Sequence, residues 1–281
     1  MGTLYIVGTP IGNLEDITHR ALRILREVAV IAAEDTRQTR KLLNHFEIPT
    51  PAVSYHEHNQ RTAGPQLIER LLAGDDVALV TDAGMPAISD PGEDLVRLAV
   101  AAGVPVIPVP GPTAFTTALV VSGLSTERFA FEGFLPVKGK ERRATLERLK
   151  QETRTWILYE APHRVVETLE DLRDALGDRA MAAARELTKL HEEVVRGTPA
   201  ELLAHFEQKA PRGEFVLVIS GAPAVAAAVP EEATPATLAA AVAALEAGGM
   251  DRKTAMKEVG ARFGLTKRDV YQALLELKED E

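Results

Sequence analysis

Cysteine is absent from this chain of 281 residues, which excludes disulfides, thiolate metal sites and a cysteine nucleophile. The sequence also has no apolar run of about 18 residues that could span a membrane. Its first residues lack the basic and apolar segments of a signal peptide. We therefore expect a cytoplasmic protein with no membrane partner.

Basic residues are also in deficit. The chain has 32 lysine and arginine residues against 41 aspartate and glutamate residues, and its formal net charge is −9. This balance argues against a broadly basic nucleic-acid coat, but a local basic patch is enough to contact phosphates. Because 46% of the residues are hydrophobic, a chain of this length can bury the cores of two α/β domains.

Three turns rich in glycine and proline are the most informative feature that is present. Apolar runs at 4–7, 77–80 and 104–109 lead into turns at 8–13, 81–86 and 110–114. Glycine lets the backbone approach a ligand closely, and proline stiffens it. Because open α/β sheets bind ligands at the carboxyl ends of their strands, we expect the three turns to line one crevice. The first turn has neither the dinucleotide fingerprint nor the Lys-Ser/Thr ending of a phosphate-binding loop.

Strands and helices alternate along the first half of the chain. The spacing of apolar residues predicts helices over 16–30, 38–46, 63–73 and 93–102 and a short strand at 31–33. Asp16 or Thr18 is expected to cap the first helix. This alternation predicts a parallel sheet with crossover helices.

The pattern restarts after Gly123. Strands are predicted at 129–135, 155–159, 181–185, 192–197 and 215–219, with helices ending near 150 and spanning 164–176. Short connections favour antiparallel pairing for some of these strands. Near the C-terminus, helices at 238–247, 252–263 and 267–277 have a helix-turn-helix outline, with Gly264 ending the second and Thr266 capping the third.

The fold class is therefore α/β, with two α/β domains and a small C-terminal helical unit. We place an N-terminal domain with the glycine turns at 1–115 and a second α/β domain at 116–222. An Ala/Pro-rich linker is expected at 223–235, and the helix-turn-helix-like unit at 236–281.

Six blocks of sequence resemble the tetrapyrrole-methylase superfamily, the class III methyltransferases that use S-adenosylmethionine (SAM). The blocks lie at 5–16, 32–37, 80–91, 109–113, 132–136 and 185–189. The resemblance implies that SAM is the cofactor, that it is folded into a cleft between the two α/β domains, and that the protein is a homodimer.

The first turn distinguishes two branches of this superfamily. Members that methylate tetrapyrroles typically have Gly-x-Gly-Pro-Gly there, whereas residues 9–13 of this chain are Thr-Pro-Ile-Gly-Asn. This departure favours the branch that methylates the ribose 2′-oxygen of a decoding-centre (P-site) cytidine in 16S ribosomal RNA. The implied partner is the assembled 30S ribosomal subunit, and DNA is not expected. Two alternatives stay open: a class III methyltransferase of a small substrate such as a precorrin, and a non-catalytic ribosome-assembly factor.

The resemblance implies that residues of both α/β domains bind the cofactor. A carboxylate would anchor the ammonium group of SAM, and an apolar slot with close backbone would hold its adenine. Asp82 has an alternative role as a turn-forming residue, and Tyr159 and Leu187 as ordinary core residues. The candidates are Pro10, Asp82, Ala83, Gly84, Ile88, Thr113, Ala114, Tyr159, Glu160, Leu187 and Gly213.

Methyl transfer to a ribose hydroxyl requires in-line alignment and a group that takes the hydroxyl proton. The candidate catalytic residues are Glu34, Asp35, His56 and Glu186. The first two also have a structural interpretation, in which Asp35 and Thr36 cap the next helix while Glu34 pairs with Arg37.

A histidine pair raises the question of a metal. His56 and His58 alternate in sequence, so on an extended segment they would face the same side. Two such residues can bind zinc, but the sequence shows no third strong ligand, and SAM chemistry does not require a metal. We expect no catalytic metal, and a surface pair is an equally good interpretation.

Two basic segments are candidate RNA contacts. The loop at 138–143 is expected beside the cleft and suits phosphates, although it could simply be the solvated start of a helix. Residues 251–281 contain as many acidic as basic residues, but the basic ones cluster before 269 and could form one face that docks RNA or the ribosomal subunit. The candidates are Arg37, Lys138, Lys140, Arg142, Arg143, Lys267 and Arg268.

Overall fold

The computed structural model describes residues 1–208, 211–223 and 233–279. The chain divides into two compact units, Met1–Ala222 and Pro223–Glu281. Most of the linker expected at 223–235 lies outside the described residues. The division of the first unit near residue 115 stays a prediction.

A five-stranded parallel sheet occupies the N-terminal part of the first unit. Its strands lie in the order β3 (Ala52–Ser54), β2 (Val30–Ala33), β4 (Val77–Val80), β1 (Leu4–Val7) and β5 (Val106–Val109). Strands β2 and β4 are buried along their whole length because helices cover both faces of the sheet, so they are continuously apolar rather than alternating. This arrangement confirms the predicted parallel sheet with crossover helices. The elements are β1 (Leu4–Val7), α1 (His19–Glu27), β2 (Val30–Ala33), α2 (Thr36–His45), β3 (Ala52–Ser54), α3 (Gln60–Ala73), β4 (Val77–Val80), α4 (Glu93–Ala101) and β5 (Val106–Val109).

Two local predictions in this region are wrong. The helix predicted over 16–30 is shorter, because Leu14–Asp16 forms a separate 3-10 helix and Thr18 caps α1 by accepting a hydrogen bond from the Ala21 amide at 3.0 Å. The sequence analysis also missed the strand β3, at Ala52–Ser54. This strand lies at the sheet edge with two of its three residues exposed, so it lacks the apolar run of an interior strand.

A second, mixed sheet follows, with its strands in the order β6 (Phe129–Phe134), β7 (Thr155–Glu160), β10 (Phe215–Ile219), β8 (Met181–Arg185) and β9 (Glu193–Gly197). Strand β6 pairs with β7 in parallel, whereas β10 pairs antiparallel with both β7 and β8, and β8 pairs antiparallel with β9. The predicted antiparallel pairing is therefore confirmed, but the sequence interpretation missed the helix α8 at Pro199–Gln208. The elements are α5 (Ala114–Ser122), β6 (Phe129–Phe134), α6 (Gly139–Lys150), β7 (Thr155–Glu160), α7 (Val165–Leu176), β8 (Met181–Arg185), β9 (Glu193–Gly197), α8 (Pro199–Gln208) and β10 (Phe215–Ile219).

The C-terminal unit contains α9 (Pro235–Ala247), α10 (Arg252–Phe263) and α11 (Lys267–Glu279) around its own apolar core. Gly264 ends α10 in a left-handed conformation, and the Thr266 hydroxyl accepts a hydrogen bond from the Asp269 amide at 3.3 Å, as expected of an N-cap. Within the described ranges, no helix is long and apolar enough to cross a membrane.

Candidate functional site

The turns after β1, β4 and β5 meet at one edge of the first sheet. Thr9 and Gly84 exchange backbone hydrogen bonds of 2.9 and 3.1 Å, which join the first two turns. Gly8 packs against Gly111 of the third turn so closely that a Cβ on Gly8 would lie 2.7 Å from the Gly111 Cα. Glycine is therefore required at this crossing, and the predicted meeting of the three turns is confirmed.

A cavity of about 500 Å³ opens beside these turns and is lined by residues that follow strands of both sheets. Of the eleven residues expected to bind the cofactor, all except Pro10 and Gly213 line it. Pro10 lines a smaller neighbouring cavity instead. The sequence interpretation did not assign several other lining residues, among them Met85, Asp90, Phe115 and Phe134.

Two wall segments of this cavity have unusual backbone geometry. Ala87 and Ser89 adopt left-handed φ angles of 69° and 63° on either side of Ile88. Glu186 and Thr188, with φ angles of 50° and 67°, flank Leu187 in the same way. Non-glycine residues rarely adopt this conformation, and it is concentrated at ligand sites. The backbone is therefore strained at two places where it forms the cavity wall.

Acidic side chains are crowded on the cavity wall. Burial, reinforced by Glu34, Asp82 and Glu214, raises the pKa of Asp90 to about 7. Partial burial and the neighbouring Asp82 and Asp35 carboxylates also raise the pKa of Glu34 above its ordinary value. A bound cation would relieve this repulsion. Asp90 lies inside the block at 80–91, but only the fold shows that it faces other carboxylates.

Asp35 and Glu34 follow β2 but have different environments. Asp35 caps α2 by accepting the Arg37 amide at 2.8 Å, and it forms an ion pair of 2.7 Å with the Arg37 side chain. These contacts lower the pKa of Asp35 to about 2. Glu34 instead accepts the Asp82 amide at 3.3 Å and lines the cavity. The capping role of Asp35 is confirmed, whereas Arg37 pairs with Asp35 and not with Glu34.

Glu186 lies on the opposite wall and pairs with Lys189, with 2.9 Å between Oε1 and Nζ. Its carboxylate occupies the space that a Cβ on Gly213 would fill, and Gly213 is itself left-handed at φ 74°. Gly213 therefore makes room for Glu186 rather than lining the cavity.

The histidine pair does not lie on an extended segment. Residues 57–59 form a turn, and the ring centroids of His56 and His58 are 5.9 Å apart. Neither ring lines the main cavity. Across 1–208, 211–223 and 233–279, no group of three or more potential metal-ligating side chains is found.

The basic candidates separate into exposed and buried residues. Arg142 is only 5% exposed, and its guanidinium donates to Asp171 at 2.6 Å, to the Thr168 hydroxyl at 2.9 Å and to the Pro136 carbonyl at 3.1 Å. Its expected role as a phosphate contact is therefore wrong. The other expected RNA-contacting residues are exposed: Arg37, Lys138, Lys140, Arg143, Lys267 and Arg268.

Comparison with known proteins gives matches at the level of family, sequence and fold. The family model "Tetrapyrrole (Corrin/Porphyrin) Methylases" matches residues 3–203. "Ribosomal RNA small subunit methyltransferase I" of Synechocystis sp. is 49% identical over 284 aligned positions that cover 100% of both chains. The Thermotoga maritima protein of the same name is 51% identical over 221 positions, which cover 79% of this chain and 99% of that one.

Solved structures show the same fold. Uroporphyrin-III C-methyltransferase from Thermus thermophilus, in complex with S-adenosylhomocysteine, superposes with a TM-score of 0.56 at 22% identity. The match covers 77% of this chain and 97% of that one.

Proposed function

This chain belongs to the tetrapyrrole methylase family, and from that premise we propose that it methylates small-subunit ribosomal RNA. It is a SAM-dependent methyltransferase, and SAM is its methyl donor. The finer part of the proposal is the target: the ribose 2′-hydroxyl of a decoding-centre cytidine in 16S RNA, methylated on the assembled 30S subunit. The observation that carries the proposal is the 49% identity, over the full length of both chains, to a relative named for methylation of this RNA.

The main cavity suits SAM. Carboxylates of Asp82, Asp90 and Glu214 on its wall complement a cation, while Ile88 and Leu187 provide apolar surface for an adenine. When bound, SAM supplies a methyl group on a positively charged sulfur. We propose that these residues hold the cofactor and that the carboxylates attract its positive groups.

SAM affinity is expected to rise by up to about tenfold between pH 6 and 8. The pKa of Asp90 is raised from 3.8 to about 7, so this side chain gains its negative charge as the pH rises through that range. Calorimetric dissociation constants for SAM across the range test this expectation. Asp90→Asn should flatten the dependence, and S-adenosylhomocysteine, whose sulfur is uncharged, should show a weaker one. A flat profile for wild-type protein would contradict the role of Asp90.

Among the candidate proton acceptors, we propose Glu34. It lines the cavity, and its raised pKa makes its carboxylate a stronger base than that of Asp35. The Asp82 amide orients it by donating a hydrogen bond at 3.3 Å. In-line placement of the ribose oxygen would supply much of the rate, and Glu34 would take the proton as the oxygen–carbon bond forms.

The C-terminal unit is proposed to dock the RNA substrate. Lys267, Arg268 and Tyr271 are exposed near the start of α11 and offer positive charge beside an aromatic ring. The Thermotoga maritima relative matches this chain over 221 positions, which are 79% of this chain and 99% of that relative. Catalysis and docking are therefore proposed to reside in separate parts of the chain.

Deleting residues 223–281 should raise the KM for 30S subunits about tenfold or more, because two linked contacts bind more tightly than one. The dissociation constant for SAM should stay within twofold, since every residue that lines the main cavity lies before the deletion. Steady-state transfer of labelled methyl groups measures the first quantity, and calorimetry measures the second. An unchanged KM for 30S subunits would contradict the proposal that the C-terminal unit docks the RNA.

The homodimer implied by the family resemblance is also part of the proposal. Val120 and Val121 are exposed on α5, and we propose that a second copy of the chain covers them. Light scattering of the purified protein gives its mass in solution and tests this point.

The proposed function is tested by incubating the enzyme with labelled SAM and 30S subunits from cells that lack it. Label on the ribose 2′-oxygen of a 16S cytidine is the expected result. SAM binding without RNA labelling would favour the small-molecule alternative, such as a precorrin methylase, and absence of SAM binding would favour an assembly factor.

A further inference from the structure

A second cavity, of about 400 Å³, lies next to the main one. Five residues line both cavities, so the two share a wall: Ile11, Asp82, Ala83, Lys189 and Glu214. The rest of the second cavity is formed by the turn after β1, by one side of α2 and by Thr81 directly after β4. A molecule held there would lie against the wall of the cofactor cleft.

Two buried hydroxyl groups contribute to this cavity. Thr39 and Thr81 line it and are 5% and 2% exposed, yet their Oγ1 atoms have no hydrogen-bond partner among the described residues. Thr9 shows the usual arrangement, because its hydroxyl donates to the Thr81 carbonyl at 3.1 Å. Nearly all buried hydroxyls in native proteins are paired, and an unpaired one is commonly explained by a missing water or ligand. Two threonines of this cavity therefore carry hydroxyl groups whose hydrogen-bonding capacity the described residues leave unused.

Positive charge lies at the same cavity. Lys41 lines it and donates to the neutral amide oxygen of Gln38 at 2.8 Å, so this contact leaves its charge uncompensated. Lys189 lines it from the other side. Glycine at position 12 leaves room for the Lys189 side chain, because a Cβ on Gly12 would lie 2.5 Å from the Lys189 Cγ and 3.0 Å from the Leu187 carbonyl oxygen. Lys189 also pairs with Glu186 at 2.9 Å, and the carboxylates of Asp82 and Glu214 lie on the same wall. The cavity thus combines hydroxyl, ammonium and carboxylate groups, and Lys41 is its ammonium group on the side of α2.

We propose that the second cavity holds the target nucleotide of the RNA, turned out of its stack. The Thr39 and Thr81 hydroxyls bind its ribose, and Lys41 binds an adjacent phosphate. Enzymes that modify a single nucleotide commonly extrude it into a pocket, and methyl transfer needs the ribose oxygen in line with the methyl group. A ribose site that shares its wall with the cofactor cleft meets this need. The inference rests on the proposed function, since it assumes an RNA substrate.

The test compares Thr39→Val and Lys41→Met with two exposed controls, Thr62→Val and Lys150→Met. Thr39→Val exchanges an unpaired hydroxyl for a methyl group of similar size, so the fold should be unaffected. Both cavity variants should raise the KM for 30S subunits about tenfold while the dissociation constant for SAM changes less than twofold. The controls should match wild-type protein. Wild-type KM values in both cavity variants would overturn the proposal.

A binding experiment separates failure of this site from failure of the proposed function. Cytidine 3′,5′-bisphosphate is titrated into protein saturated with S-adenosylhomocysteine, with inorganic phosphate as a second probe. The nucleotide should bind saturably to wild-type protein and the controls, and both cavity variants should weaken it. If wild-type enzyme labels no RNA, the proposed function fails. This titration then still tests whether the second cavity binds a nucleotide. Either of two results would overturn the nucleotide site. In the first, neither variant weakens binding of the nucleotide. In the second, inorganic phosphate binds in the same way as the nucleotide, and only Lys41→Met weakens that binding.

Discussion

Replacing Glu34 by glutamine is expected to lower kcat for methyl transfer about 10²- to 10⁴-fold, the usual contribution of a positioned general base. Glutamine keeps the size of the side chain and can still accept the Asp82 amide, but it cannot take a proton. Partial burial and neighbouring carboxylates raise the pKa of Glu34, so the wild-type rate should increase with pH as Glu34 ionises. This limb of the pH profile should vanish in the variant. SAM affinity should change little.

Asp35→Asn is the matched control for this experiment. Asp35 is the next residue in the chain, but its pKa of about 2 makes it a weak base, and its carboxylate is engaged by Arg37. The control variant should keep kcat within a fewfold and lose some stability, because Asp35 caps α2. A wild-type pH profile in Glu34→Gln, or a larger loss in Asp35→Asn, would assign proton removal to another group.

Replacing Arg142 by methionine should lower the free energy of unfolding by about 2–3 kcal/mol. The substitution removes three hydrogen bonds from a buried site and leaves the Pro136 carbonyl without its donor. It also disturbs Thr168, whose hydroxyl donates to Glu160 on the cavity wall at 2.6 Å. Chemical denaturation measures the loss, and methionine keeps most of the apolar length of the side chain.

Arg143→Met provides the comparison. Arg143 is adjacent and exposed, so its loss should change the unfolding free energy by no more than about 0.5 kcal/mol. If the loop at 138–143 contacts phosphates, Arg143→Met should raise the KM for 30S subunits more than it changes stability. Equal stability of the two variants, with RNA binding lost only in Arg142→Met, would restore Arg142 to the RNA interface.

Most of the fold could be predicted from local pattern. The apolar runs of β1, β4 and β10 and the glycine stop after α7 lie within the window of sequence that specifies them. The errors have physical causes. Strand β3 gains its hydrogen bonds at a sheet edge without a buried apolar run, and α1 is shortened because the preceding residues form a separate 3-10 helix.

The sequence alone determined the α/β class of the fold and the three turns that line the cleft, because turn chemistry and strand burial are specified by adjacent residues. Only the tertiary structure decided that Arg142 is buried, that Asp90 faces Glu34 and Glu214, and that Thr39 and Thr81 line the second cavity. Burial, pairing and pKa depend on neighbours that are remote in the chain, and folding alone brings those neighbours together.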